Sequence, residues 1–391
     1  MHDFVLKEII NSNIANELTQ IGFDKSYIHK ACEKYEYKNI KIFSLTTAQA
    51  NILKQTAISV GCDCATHREV ITAKIENCDC ILGGSISQIK KIGTKLQHQP
   101  FKLKQLGEKL LEFTPPINKK KTKIVGILNL TPNSFSDGGE FDDYKKATQH
   151  LLKMIEQGVD IIDIGAESTK PYSQPVDDET QLSKLLPIIE FAKDKITISV
   201  DTRSAVVAEK SILAGASIIN DVSGFDYDKN MAEIIAKYGT MANGTNRING
   251  ANGIKIIIQH SLTTPETMQE NPIYENLVDE IYLSLKKKTD LAISKGIKKE
   301  NIIIDVGIGF GKTRKDNFKL IRRIEEFRGL GFEVMLGVSR KSLLNMPDAD
   351  NNTKDIFTMA LNTLAVEKNI EYLRVHNVEL HKQLIAMLSI E

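Results

Sequence analysis

Through the last two thirds of the chain, β-branched apolar runs alternate with stretches of helical spacing, and every run stops on a cluster of polar residues. The runs are IVGILN (124–129), DIIDIG (160–165), ITISVD (196–201), SIIND (217–221), IKIIIQ (254–259), NIIID (301–305), EVMLGVS (333–339) and EYLRVH (371–376). Helical spacing lies between them, for instance from Tyr144 to Gln157 and from Val278 to Ser294. Strand and helix alternating eight times predicts an α/β fold of (β/α)8 barrel type, in which the loops after the strands build the ligand site. The polar strand ends therefore mark a pocket.

Residues 1–114 follow another pattern. The spacing predicts an amphipathic start, a strand IKIFSL (40–45), a helix from Thr46 to Val60 with Thr46 as N-cap, strands at 68–75 and 80–85, and helical segments at 86–96 and 102–112. This reads as a smaller N-terminal α/β or α+β domain. The stretch TPPINKKKTK (114–123) combines two prolines with four lysines, opposes helix and sheet alike, and predicts a solvated linker over 115–123. The barrel domain is then 124–391. An Asn/Gly-rich stretch, NGTNRINGANG (243–253), predicts a polar loop ahead of the fifth strand, at the barrel end usually remote from chemistry.

Composition narrows the function classes. With 391 residues there is room for one barrel and one small domain, and 51 Lys+Arg against 50 Asp+Glu leave a charge of +1. No global field favours nucleic acid or an anionic membrane, so any anion chemistry is local. No apolar stretch approaches the roughly 20 residues of a membrane span, and MHDFVLKEII lacks a signal-peptide core; a cytoplasmic location is expected. All five cysteines, Cys32, Cys62, Cys64, Cys78 and Cys80, fall in the first eighty residues. The two C-D-C pairs with His67 between them could give four thiolates to zinc. C-x-C is tighter than the usual metal spacing, and reduced structural thiols are the favoured reading.

The strand ends carry the candidate chemistry. Asn129 closes the first strand ahead of a turn-rich loop with an exposed aromatic, Phe135, and a terminal Gly-Gly suited to movement over a site. Asp163-Ile-Gly-Ala-Glu-Ser-Thr-Lys-Pro171 sets two hydroxyls beside a cation, an arrangement suited to phosphate oxygens; a helix N-cap at Ser168 or Thr169 explains the hydroxyls equally well. Asp201, Asn220-Asp221 and Asp305 end the third, fourth and sixth strands. Each acid alone could be a rim ion pair, but together they suit a flat heterocycle offering an amino group beside a ring N–H. The sixth-strand loop, DVGIGFGKT (305–313), imitates a nucleotide phosphate loop, yet Val306 stands where the first glycine is needed. Its alternate glycines permit close backbone approach instead, with Phe310 and Lys312 projecting. Ser339-Arg-Lys-Ser342 reads as a helix start. Together Arg340, Lys341, Arg374 and His376 read as a cationic cluster for an anionic substrate.

These motifs, GILNLTPNSFSDGG (126–139), DIGAESTKP (163–171), SVDTR (199–203), INDVSG (219–224), DVGIGFGK (305–312), GVSRKS (337–342) and RVHNV (374–378), resemble the dihydropteroate synthase family in number, order and spacing over 124–388. The resemblance implies a pterin-binding TIM barrel that joins 6-hydroxymethyl-7,8-dihydropterin diphosphate to p-aminobenzoate, with Mg2+ as cofactor and a homodimer as the assembled form. By position it implies that Asp201, Asn220, Asp305 and Lys341 hold the pterin. Asn129, Thr169, Arg374 and His376 would meet the diphosphate, Asn129 standing near the magnesium. Phe135, Ser168, Pro171, Phe310 and Ser342 would line the aminobenzoate site, and Asp137 belongs to the closing loop. Asp137, Thr169 and Lys341 are thereby the implied catalytic groups.

The chain departs from the family at Asn133 (commonly Asp), Ala166 (Gly), Lys170 (Arg), Gln259 (Met) and Val306 (Pro). Lys170 keeps charge but loses a bidentate fork, and Gln259 makes the pterin pocket floor more polar. Residues 1–114 lie outside the family barrel and are similar to an N-terminal extension of some bacterial, including clostridial, synthases; a structural or oligomer-stabilising module is expected. Two alternatives share the barrel: a methyltetrahydrofolate–corrinoid methyltransferase, and a pterin-binding paralogue without catalysis. The methyltransferase would not need the SRKS and RVH cations or the S-F-S-D-G-G loop.

Overall fold

The computed structural model describes residues 6–9, 13–113, 121–130, 140–168, 173–239, 253–263, 267–268, 272–347 and 349–389. The chain splits into two compact units, Met1–Asn118 and Lys119–Glu391, so the division falls within the lysine-rich stretch.

In the first unit, strands β1 (Tyr37–Thr46), β2 (Asp63–Ala65) and β3 (Asn77–Ser85) form an antiparallel sheet in the order β1-β3-β2. Two short helices, α1 (Ile14–Gln20) and α2 (Ile28–Cys32), precede it. Helices α3 (Thr47–Ile58) and α4 (Ile86–Leu96) start on reciprocal capping boxes, Thr46 with Gln49 and Ser85 with Gln88. Their apolar faces place Leu53, Ala57, Ile89 and Ile92 against Ile40 and Leu82 of the sheet. Helix α5 (Leu103–Glu112) crosses α4 at two glycines: a Cβ on Gly107 would stand 2.5 Å from the Gly93 carbonyl oxygen.

The strand expected at 68–75 does not form. Residues Arg68–Val70 make a single 3-10 turn, capped by His67 Nδ1 accepting from the Glu69 N–H, and the short strand lies earlier, at Asp63–Ala65. Val70 is buried but its neighbour Ile71 is 82% exposed, so the β-branched run offers no continuous face to a sheet. Cys78 and Cys80 do share a face of β3, with their sulfurs 3.8 Å apart.

The second unit is a closed parallel barrel of β4 (Lys123–Asn129), β5 (Ile161–Gly165), β6 (Thr197–Asp201), β7 (Ile218–Asp221), β8 (Lys255–Gln259), β9 (Ile302–Asp305), β10 (Glu333–Leu336) and β11 (Tyr372–Val375). A helix follows each strand in turn: α6 (Glu140–Glu156), α7 (Asp178–Ala192), α8 (Ala205–Ala214), α9 (Met231–Gly239), α10 (Leu277–Ser294), α11 (Arg314–Arg322), α12 (Asn351–Glu367) and α13 (Val378–Leu388). The expected (β/α)8 architecture is therefore present. Most of the Asn/Gly-rich stretch, 243–252, falls outside the described residues.

Inside the barrel, one layer is apolar: Val125, Ile161, Ile218, Ile257, Ile303, Met335 and Tyr372 pack together. Burying each aliphatic side chain there contributes roughly 2 kcal/mol. Two residues further along these strands the same inward face carries Ile127 on β4 and then Asp163, Asn220, Gln259, Asp305, Gly337 and Arg374, because side chains alternate with a period of two. The barrel thus has an apolar plug below a polar ring. That ring adds desolvation cost instead of hydrophobic gain, which marks it as a place kept for a ligand.

Candidate active site at the barrel mouth

Strand register sets the ring. Asp201 pairs with both Gly165 and Asn220, and Gln259 pairs with Asp305, so the acids and amides stand at neighbouring strand ends. Arg374 enters from β11 and ties two of them: Nε donates to Asp163 Oδ2 at 2.6 Å and Nη2 to Asp201 Oδ2 at 2.7 Å. Asn220 Nδ2 donates to the same Asp163 oxygen at 3.1 Å. Burial pushes the Asp201 carboxyl up to about 7, against the opposing pull of Arg374 and with help from Asp163 and Glu167. Asp305 is also raised by burial, with Lys341 and the Gly307 N–H drawing it back. Asp221 faces away from this ring and serves the backbone. It accepts from Ser223 N, Ser223 Oγ and Phe225 N and ties the turn after β7.

The loop after β9 is built on left-handed glycines. Gly307 donates to Asp305 Oδ1 at 2.7 Å, and a Cβ on it would lie 1.8 Å from the His260 carbonyl oxygen, so only glycine fits. Phe310 and Lys312 do not both project as expected. Phe310 is buried with Val222 and Met268, while Lys312 is folded under the loop, its Nζ on Phe310 O at 2.9 Å and on His260 Nδ1 at 3.0 Å. Burial drives Lys312 well below the usual lysine range. Its buried Nζ serves the loop and is not offered to a ligand.

Lys341, half-buried, stands over the mouth. Its Nζ donates to Ile308 O at 2.6 Å and lies 4.8 Å from the centre of the Phe310 ring. Burial brings its pKa down to about 8, with Asp305 and Asp201 opposing that fall. The expected four-membered cationic cluster is smaller than the sequence suggested. Arg340, with φ at 55°, turns to Asp355 and forms a bidentate pair at 2.8 and 2.7 Å. His376 is held down to about 3, by burial first and then by Arg340 and Arg374, so at neutral pH it is uncharged. Ser339 Oγ accepts from the His376 backbone N–H at 3.1 Å and shares a hydrogen bond with His376 Nδ1 at 2.9 Å. Ser339 thus holds His376 and its neutral imidazole through both the backbone N–H and Nδ1. The expected helix start at Ser342 is a 3-10 turn of three residues, Ser342–Leu344, and Ser342 itself is exposed. Pro347 disfavours continuation, and α12 begins only after its own N-cap, Asp350.

At the other side of the mouth, Asn129 ends β4 beside Gly165; a Cβ on that glycine would meet Asp201 Cβ at 3.4 Å and Asn129 Oδ1 at 3.7 Å. Asn129 makes no side-chain hydrogen bond to a described residue. Ser168 is half-buried and caps no helix, because α7 takes Asp177 as its N-cap. Glu167 and Arg203 form a buried pair at 2.9 Å under this loop, an anchor that no local sequence pattern announces. Asp163 is a further site residue that the strand ends alone do not reveal. An acid in the middle of an apolar strand, on its inward face, is the available signal. Gln259 does reach the interior, donating from Nε2 to Val222 O at 3.3 Å. Phe135, Asp137, Thr169 and Pro171, with the departures Asn133 and Lys170, lie outside the described residues.

Among the described residues no group of three or more His, Cys, Asp or Glu is arranged to hold a metal ion, in the barrel or at the C-D-C pairs, and no helix is long and apolar enough to cross a membrane. A cation bound mainly through substrate phosphates needs less: one protein oxygen, such as Asn129 Oδ1, suits magnesium, which keeps most of its other ligands as phosphate oxygens and water.

Comparison with known proteins agrees with this geometry. The family model for pterin-binding enzymes matches residues 125–376. A dihydropteroate synthase of Clostridium beijerinckii is 39% identical over 266 residues, 66% of this chain and 90% of its own length. A bifunctional dihydropteroate synthase/dihydropteroate reductase of Helicobacter pylori is 32% identical over 391 residues, covering 98% of both chains. The crystal structure of a Clostridium difficile dihydropteroate synthase, determined in the presence of pteroic acid, superposes with a TM-score of 0.61 at 36% identity, over 69% of this chain and 96% of that one. The chain belongs to the pterin-binding enzymes, in the dihydropteroate synthase family.

Proposed function

We propose that the chain condenses 6-hydroxymethyl-7,8-dihydropterin diphosphate with p-aminobenzoate, giving 7,8-dihydropteroate and diphosphate for folate synthesis. The observation that carries this reading is the buried group of Asp201, Asn220 and Asp305 at the ends of β6, β7 and β9 with Lys341 above it. Two carboxylates and an amide accept the parallel N–H donors of a pterin edge, and Lys341 donates to a ring acceptor. Arg374, Asn129, Thr169 and the neutral His376 meet the diphosphate. Phe310, Ser342, Phe135, Ser168 and Pro171 line the arylamine site, with Asp137 in the loop that closes it. Bond breaking leads: diphosphate departs and the cation at the pterin methylene is captured by the arylamine, so no protein nucleophile is needed. Magnesium, held at Asn129, would add positive charge on the leaving diphosphate. The family resemblance supports a homodimer working in the cytoplasm. Incubating the protein with both substrates and Mg2+ should yield dihydropteroate, and Asp305→Ala or Lys341→Ala should abolish it. Full activity in either variant would refute the assignment.

A second activity rests on the Helicobacter pylori relative, whose match takes in the first unit as well as the barrel. On that ground the chain also reduces dihydropteroate: a hydride from an external two-electron donor and a proton from water add across the pterin C=N bond, giving tetrahydropteroate. Supplying reduced nicotinamide or reduced flavin without oxygen and following donor oxidation tests it. Donor oxidation that dihydropteroate does not stimulate would remove this second activity while leaving the first intact.

A further inference from the structure

Asn220 and Arg374 share one acceptor. Asp163 Oδ2 receives Asn220 Nδ2 at 3.1 Å and Arg374 Nε at 2.6 Å, and Asp163 is fully buried. A carboxylate only accepts, so it commits the Asn220 amide to one of its two orientations, nitrogen toward β5 and oxygen away. That oxygen, Asn220 Oδ1, is buried and has no partner among the described residues. An unpaired buried acceptor is costly and is kept where a ligand completes it. Asp163 Oδ1 and Ser199 Oγ are likewise buried without partners among the described residues, and Asp163 and Ser199 are register partners on β5 and β6. Gly337 leaves room on the opposite wall, its would-be Cβ 3.8 Å from Asp305 Oδ2 and 3.7 Å from Arg374 Cβ.

We infer that Asp163 is a positioning residue for the pterin: it fixes the Asn220 amide as an acceptor for a ligand N–H and seats Arg374 at the diphosphate end through the same oxygen. The inference rests on the synthase reading and adds to it a residue that does not itself touch the reacting atoms. Its consequence is specificity. A heterocycle presenting a lone pair at that place meets an oxygen that cannot turn, and one presenting N–H is accepted.

Asp163→Leu keeps the approximate size of the side chain but removes the shared acceptor, which allows the Asn220 amide to flip. The expected result is a rise of about 10-fold in KM for the pterin diphosphate with KM for p-aminobenzoate moving less than about 2-fold. Asp163→Asn is the conservative control: Arg374 Nε holds the new amide oxygen at the shared position, so the Asn220 amide stays committed. This variant should keep pterin KM within about 3-fold of wild type. Melting curves on the same samples report folding, and pterin binding by calorimetry to the folded variant replaces kinetics if turnover is lost. An unchanged pterin KM in Asp163→Leu, or a rise in folded Asp163→Asn as large as in Asp163→Leu, overturns the inference. A wild-type protein that binds pterin without turnover would instead sink the synthase reading and leave the binding comparison to decide the role of Asp163.

Discussion

The guanidinium of Arg374 lies 2.7 Å from the Asp201 carboxylate, joining the last strand of the barrel to the third. The same side chain holds Asp163, so one cation neutralises two acids that are 0% and 8% exposed at the side chain. Burying such acids is tolerable only while the cation is present.

Removing that cation should therefore be felt in stability as well as in turnover. Arg374→Gln leaves both acids unpaired, and breaking a buried pair costs about 3–5 kcal/mol. Asp201 titrates near 7, so a proton can take over part of the role of the missing cation at lower pH. The drop in Tm relative to wild type should be larger at pH 8 than at pH 6. Equal drops at the two pH values would show that Asp201 is not the acid Arg374 protects.

The two shifted groups at the mouth also bracket the working pH. Asp201, raised to about 7, becomes a charged carboxylate accepting at both oxygens only as pH rises; Lys341, lowered to about 8, loses its charge as pH rises further. kcat/KM for the pterin diphosphate should follow a bell with an acid limb near 7 and an alkaline limb near 8. Lys341→Arg, which stays protonated, should remove the alkaline limb even if it lowers the plateau. Persistence of that limb in the variant would assign it to another group.

His376 gives a stability signature of its own. Its pKa falls from 6.5 to about 3 on folding, through burial and the nearby arginines. Between those values the unfolded chain binds the proton and the folded one does not, so the stability tied to the neutral ring is present above pH 6.5 and lost as pH falls toward 3. Asp201 acts with the opposite sign: its folded pKa is raised, so its contribution is lost as pH rises from 3.8 through 7. Thermal melts of His376→Gln between pH 4 and 7 should show a shallower acid decline than wild type. Parallel declines would place the acid sensitivity elsewhere.

The barrel was legible because its signal is local. Apolar runs ending on Asn129, Asp201, Asn220 and Asp305 are all strands with those residues at the mouth. What the sequence hid was pairing across long separations. Nothing near Arg340 announces that Asp355 will take its guanidinium, and nothing near His376 announces that burial will discharge it. Asp163 was readable in principle, since its inward position follows from Ile161 two residues earlier, but its partners come from β7 and β11. The run at 68–75 misled for a simpler reason: β-branched residues favour strands only where a sheet face receives them, and Ile71 meets solvent.

The first unit offers a way to separate the two proposed activities. Helices α4 and α5 meet backbone to backbone at Gly93 and Gly107, where a Cβ on either residue would stand 2.9 or 2.5 Å from the carbonyl oxygen of the other. Gly107→Val drives the helices apart, and overpacking of this kind costs about 1–3 kcal/mol, enough to matter in a core of some fourteen buried residues. The barrel has a separate core and no residue in common with that cluster. Limited proteolysis of the variant should therefore cut early within residues 13–113, dihydropteroate reduction should be lost, and synthase kcat should stay within about 2-fold of wild type. If reduction survives in a variant whose first unit is demonstrably opened, the reductase chemistry does not depend on that unit.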